Sequence, residues 1–128
     1  MDVTVSPNNP VPLYMQIVEQ VRAKILTGEL KAGDPLPSIR QLAGQLLASV
    51  ITTKRAYSEL EAEGLITTRT GLGSFVADLG SETITKLKKD VVMERLKEGV
   101  RVARQLDLAN EEINCLFRQA LDGSEERV

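Results

Sequence analysis

From Leu13 the apolar positions Leu13, Ile17, Val18, Val21, Ile25 and Leu26 recur at intervals of three and four, the period of one helical face. Gly28 ends that pattern, so a first helix is predicted to stop just before it. Ahead of it Pro7, Pro10 and Pro12 predict an extended lead-in, with Pro12 suited to the helix's first turn, where a missing N–H removes no hydrogen bond. Lys31 to Pro37 is too rich in Gly and Pro for helix and reads as a turn with a short extended piece at Leu36. Ser38-Ile39-Arg40-Gln41 then has the spacing of a capping box, opening a short second helix that turns Ile39, Leu42, Ala43 and Leu46 inward. After a break at Leu47-Ala48, Ser49 can cap a third helix reaching about Glu63, with Thr53, Ala56, Tyr57 and Leu60 on its inner face and Gly64 at its end.

The period then changes. Leu65 to Arg69 and Ser74 to Ala77 are β-rich, and they flank Thr70-Gly71-Leu72-Gly73, the tip of a predicted hairpin. Asp78 to Gly80 reads as a connector. From Ser81 a long stripe of Ile84, Leu87, Val91, Val92, Leu96, Val100, Ala103 and Leu106 predicts a helix that breaks near Asp107. Ile113, Leu116, Phe117, Ala120 and Leu121 mark a last, shorter one. The expected fold class is therefore α+β and mainly helical. Residues 1–78 form a winged helix-turn-helix, and residues 79–128 form a small helical tail.

Composition narrows the chemistry. One cysteine, Cys115, and no histidine exclude a zinc site of the usual Cys/His kind, an internal disulfide and the His-based nucleophile triads. No metal, no cofactor and no enzymatic activity are expected. Cys115 lies near an apolar stripe and reads as a small buried residue, and Tyr14, Tyr57, Phe75 and Phe117 read as core. The chain lacks the apolar run of ~20 residues that a membrane helix needs, and it begins without a basic-then-apolar leader, so a cytoplasmic protein with no membrane partner is expected.

Charge is the obstacle to the reading that the topology suggests. Sixteen Lys and Arg stand against eighteen Asp and Glu, for a net charge of -2, whereas nucleic-acid binders usually present a basic surface. Placement answers part of the objection. With Thr53, Ala56, Tyr57 and Leu60 inward, the third helix turns Ile51, Thr52, Lys54, Arg55 and Ser58 outward, while Glu59, Glu61 and Glu63 gather at its far end. Lys or Arg can reach guanine acceptors, Thr can bond to bases or phosphates, and Ile can meet a thymine methyl. The plainer alternative for this face is a solvated surface with two ordinary cations. Arg40 stands where a cation and free helix amides together grip a phosphate, or else makes a surface salt bridge. Gly71 and Gly73 serve a hairpin tip in any case, and between Arg69 and Thr70 that tip is small enough for a minor groove.

Pro12-Leu13-Tyr14, Gly33-Asp34, Leu36-Pro37-Ser38-Ile39-Arg40-Gln41-Leu42-Ala43, Lys54-Arg55-Ala56-Tyr57, Leu60-Glu61, Glu63-Gly64-Leu65-Ile66 and Gly71-Leu72-Gly73-Ser74-Phe75-Val76 together resemble the DNA-binding domain of the GntR family of bacterial transcription regulators, over residues 11 to 77. The short remainder resembles the two-helix tail of the YtrA subfamily. The chain departs from the family at Leu47-Ala48, where Gly-Val is common, at Val50-Ile51, where Pro-Asn or Arg-Thr is common, and at Thr53, where an apolar residue is common.

The resemblance implies a repressor that binds a palindromic double-stranded DNA operator, often in an operon encoding ABC-transporter components and responding to envelope or antibiotic stress. It makes Arg40 a DNA contact, and with the outward residues above the candidate DNA contacts are Ser38, Arg40, Ser49, Ile51, Thr52, Lys54, Arg55, Arg69, Thr70, Gly71 and Gly73. The tail stripe is too broad to stay solvated, so Ile84, Leu87, Val91, Leu96, Ile113, Leu116, Phe117 and Leu121 are expected to hold a homodimer. A small-molecule effector is not specified by these residues. The rival reading is a winged-helix protein-interaction subunit that binds no DNA, which the acidic balance favours.

Overall fold

Ile17, Val18, Val21 and Ile25 are buried along one face of α1 (Leu13–Leu26), as their spacing requires. The computed structural model describes residues 1–125; residues 126–128 of the predicted tail lie outside them. Pro12 is the N-cap of α1, with an extended ψ of 145°, and does not occupy the first turn. The lead-in is also less extended than its prolines suggest. A turn closes from the Asn9 N–H to the Ser6 carbonyl, and the segment is tied down by two glutamines of α1. Gln16, buried, accepts the Ser6 N–H and donates to the Ser6 and Val11 carbonyls, while Gln20 accepts the Thr4 N–H. These carboxamides pair backbone groups that a loop against the core would otherwise leave unsatisfied.

The capping box at the start of α2 (Ile39–Leu46) is complete. Gln41 N–H donates to Ser38 Oγ at 3.1 Å, and Ser38 N–H to Gln41 Oε1 at 2.9 Å. Leu47 ends α2 in the left-handed region, with φ 54°. Ser49 caps α3 (Val50–Ala62) by accepting the Thr52 N–H at 3.0 Å. Thr53, Ala56, Tyr57 and Leu60 are buried against α1 and α2, and the Thr53 hydroxyl donates to the Ser49 carbonyl at 3.0 Å. The hydroxyl is thus satisfied within its own helix while its methyl packs. Gly64, at φ +79°, turns the chain out of α3 in a conformation that a side chain would strain.

The hairpin pairs β1 (Ile66–Arg69) antiparallel with β2 (Gly73–Val76), in the register Ile66 to Val76 and Arg69 to Gly73. Gly73 is therefore a strand residue, and the Leu72 N–H closes the turn onto the Arg69 carbonyl at 2.9 Å. The other edge of β2 is occupied by the loop before α2. Leu36 N–H donates to the Ser74 carbonyl, Val76 N–H to the Asp34 carbonyl, and Pro35 bridges Phe75.

Two compact units divide the chain, Met1–Ile84 and Thr85–Val128, and the division falls inside α4 (Ser81–Gln105). In the first unit Ile84 lines a groove with Ile25, Leu30, Val76, Ala77 and Leu79. In the second, Asp107 at φ 59° turns the chain from α4 into α5 (Asn110–Glu125). Ala103 is its one buried hydrophobic residue among those described. Cys115, expected to be buried, is exposed, and Phe117, expected in the core, is 45% exposed.

Candidate nucleic-acid interface

α2, the left-handed turn at Leu47 and α3 form the helix-turn-helix, and a hydrogen bond from α3 joins the apolar packing that holds them. Tyr57 Oη donates to the Pro37 carbonyl at 2.6 Å, so the middle of α3 is held to the start of α2. Burial pushes the Tyr57 phenol up to about 12. The bond also fixes where Arg40 begins, since Arg40 is the second residue of α2 and exposed.

On α3 Ile51, Lys54, Arg55 and Ser58 are exposed as predicted and Thr52 is half-buried, while Val50 at the start of the helix is exposed as well. Arg55 does not float free. Its guanidinium carbon lies 3.7 Å from the centroid of the Tyr14 ring in the first turn of α1. Arg69, at the end of β1, stands 5.2 Å from the Phe75 ring centroid across the hairpin. Tyr14 and Phe75 are thus half-buried platforms for cations and not core residues as expected, whereas Tyr57 is buried as predicted. Nothing local in the sequence couples Tyr14 to Arg55; only the packing of α1 on α3 does.

The cations of the first unit separate into two groups. Arg22 donates through Nε and Nη2 to the two Glu63 oxygens, both at 2.8 Å, and this paired bonding raises its pKa further. Lys24 pairs with Glu29 at 2.8 Å. Among the described residues, Arg40, Lys54, Arg55 and Arg69 make no ion pair with a carboxylate. Arg22 and Lys24 of α1 are therefore neutralised by partners, whereas the cations of α2, α3 and the hairpin, and Lys31 in the loop before α2, are not. Thr68 Oγ1 donates to Glu61, which further engages the acidic end of α3.

At the hairpin tip Thr70, Gly71, Leu72 and Gly73 are all exposed, and Gly71 has φ +79°. A Cβ built on Gly71 meets nothing within 4 Å, so its glycine is required by backbone conformation and not by crowding. The hydroxyls of Ser38 and Ser49 are both committed to helix caps, which leaves each with reduced capacity toward a ligand. Of the tail residues expected to pair subunits, Leu87, Val91, Leu96, Ile113, Leu116, Phe117 and Leu121 lie in the second unit, whereas Ile84 belongs to the first. Between α4 and α5 is an apolar groove of about 460 Å³ lined by Leu96, Gly99, Val100, Ala103, Ile113 and Phe117.

The bacterial regulatory proteins of the gntR family match this chain over residues 13–76, half of its length. The chain belongs to the GntR family. It is a DNA-binding transcriptional regulator of the winged helix-turn-helix kind. Among its relatives is the HTH-type transcriptional repressor YtrA of Bacillus subtilis, 36% identical over 96 residues, which are 75% of this chain and 74% of YtrA. A GntR family transcriptional regulator from Listeria monocytogenes superimposes with a TM-score of 0.69 at 30% identity, covering 88% of this chain and 97% of that one. The DNA-binding domain of AraR, solved in complex with its operator ORX1, superimposes with a TM-score of 0.53 at 27% identity, covering 58% of this chain and 94% of that one.

Proposed function

We propose that this GntR-family regulator is a cytoplasmic homodimeric repressor that binds a palindromic operator, with α3 in the major groove and the hairpin tip in the adjoining minor groove. The observation that carries the reading is the partition of charge. Arg40, Lys54, Arg55 and Arg69 lack carboxylate partners, while Arg22 and Lys24 have them, so a chain of net charge -2 still offers a cationic helix-turn-helix. Lys54 is placed to reach base edges, Arg55 and Arg40 to meet phosphate, and the amides around Gly71 and Gly73 to approach the sugar-phosphate backbone unhindered.

Two-fold symmetry follows from the tail in the same reading. Leu96, Leu116 and Phe117, which line the groove between α4 and α5, are 39% to 49% exposed, and Leu121 on the same helix as Phe117 is 47% exposed, an apolar face of the kind that marks an interaction surface. A second copy covers that face and spaces two recognition helices about one DNA turn apart. We further propose, from the resemblance of the short tail to the YtrA subfamily, that the regulated operon encodes ABC-transporter components.

Footprinting on the DNA upstream of the protein's own operon, with sedimentation of the full chain, tests this. The expected result is protection of two inverted half-sites by a dimer. A monomer at micromolar concentration overturns the dimer, and absence of any protected site favours a winged helix used for protein contacts.

A further inference from the structure

The first turn of α3 uses much of its hydrogen-bonding capacity on itself. Ser49 Oγ accepts the Thr52 N–H and donates to Thr52 Oγ1 at 2.8 Å, while the buried Thr53 hydroxyl donates to the Ser49 carbonyl. The side chains that stand outward from the same turn are apolar. Ile51 is 82% exposed, Val50 is 45% exposed, and Leu47, immediately before the cap, is 94% exposed. Leu47 also occupies the left-handed region, which is unfavourable for any residue with a Cβ. Glycine would hold this turn with neither the strain nor the exposed side chain. Single exposed apolar residues are ordinary, but three within five positions at the tip of a recognition helix form a patch.

We infer that this patch reads thymine methyl groups. In the major groove only the thymine C5-methyl offers an apolar feature, and it identifies both the base and its strand. The half-site therefore carries thymine beneath Ile51, with Val50 and Leu47 as flanks, and selection there is by apolar contact and not by hydrogen bonding. Charge selects the occupant. The patch lies beside Lys54 and Arg55, which have no carboxylate partners, a setting that suits an apolar group embedded in a polyanion better than the apolar face of a protein. The inference rests on the DNA-binding reading and specifies how the base sequence is sensed.

The full chain is used to select duplexes from a randomised pool, and each thymine of the selected half-site is then exchanged for deoxyuridine, which removes the methyl alone. At one or two positions per half-site the exchange is expected to weaken binding about 3- to 5-fold. In Ile51→Ala the thymine duplex should bind more weakly and the dependence on the methyl should vanish, while Ile51→Val retains part of it. Sequence-selective binding that is indifferent to every exchange, or a methyl effect of unchanged size in Ile51→Ala, overturns the inference and leaves DNA binding intact. Absence of sequence-selective binding overturns both.

Discussion

The Arg55 guanidinium lies 3.7 Å from the centre of the Tyr14 ring, so the first turn of α1 orients a cation of the recognition helix. A contact of this kind at an exposed site contributes roughly 0.5–1 kcal/mol, and an arginine already ordered loses less freedom when it meets a phosphate. Tyr14→Leu should therefore weaken DNA binding by about that amount while leaving the fold intact. In an Arg55→Ala background the same substitution should have no further effect on affinity. Additive losses in that double-mutant cycle, measured by fluorescence anisotropy, would show that Tyr14 acts elsewhere.

Lys54 and Arg40 differ in what they can reach. Lys54→Ala should cost ~1–3 kcal/mol on the operator and relax the preference at one base pair, whereas Arg40→Ala should weaken all sequences alike and reduce the salt slope by about one. Titrations at several salt concentrations on specific and scrambled duplexes separate the two. Equal affinities for wild type and both folded variants would refute the surface assignment.

The wing depends on backbone conformation. Gly71→Val introduces a β-branched side chain at φ +79°, where a Cβ itself meets nothing within 4 Å. Stability should fall by roughly 1–2 kcal/mol, and DNA affinity per folded molecule should fall further, since the new side chain separates the tip from the phosphates. A melting point that drops while affinity per folded molecule is retained would assign the tip a structural role alone.

The two units predict where the chain can be cut. A fragment ending at Ala77 would strip Leu79 and Ile84 from the groove beside Ile25 and Val76, whereas one ending at Ile84 keeps the first unit whole. The Met1–Ile84 fragment should fold, sediment as a monomer and bind one half-site at least ~100-fold more weakly than the full chain binds two. Equal operator affinity for fragment and full chain would remove the tail from the mechanism.

Tyr57 makes stability fall in alkali. Burial raises its folded pKa from an ordinary 10 to about 12, so the neutral phenol's contribution is complete below pH 10 and is lost as pH rises from 10 toward 12. Tyr57→Phe should be about 1 kcal/mol less stable at neutral pH, because the Pro37 carbonyl loses its donor. The gap should narrow across that alkaline window. Parallel denaturation curves for the two proteins at every pH would show that the phenol is not preferentially neutral in the fold.

Much of this architecture is legible in local signals. The capping box at Ser38, the cap at Ser49 and the glycines at 28 and 64 delimit helices through interactions among neighbours, and neighbours are what a sequence displays. Contacts made across the chain are not displayed in that way. Gln16 and Gln20 sit at ordinary helical positions, and nothing beside them announces that they bind the lead-in. Pro35 reads as loop because its pairing with Phe75 is a single bridge. Ile84 continues the tail's apolar period although it lines a groove with Ile25, and periodicity carries no information about which partner a face meets. Cys115 and Phe117 read as buried because they lie on or near an apolar stripe, yet both are exposed, since a stripe marks a face and not what covers it.

The bonding of Arg22 to both oxygens of Glu63 has a consequence for the kinetics of target search. Non-specific attachment to DNA grows with the number of phosphates neutralised, and a regulator with many free cations is largely sequestered by the genome it scans. Here the paired cations contribute little to that attachment, and the surplus of carboxylates repels the polyanion at long range. Encounters should be slower and excursions along unrelated sequence shorter, with a larger fraction of the molecules left unbound. Fewer copies should then be needed to occupy an operator than for a regulator with every cation free.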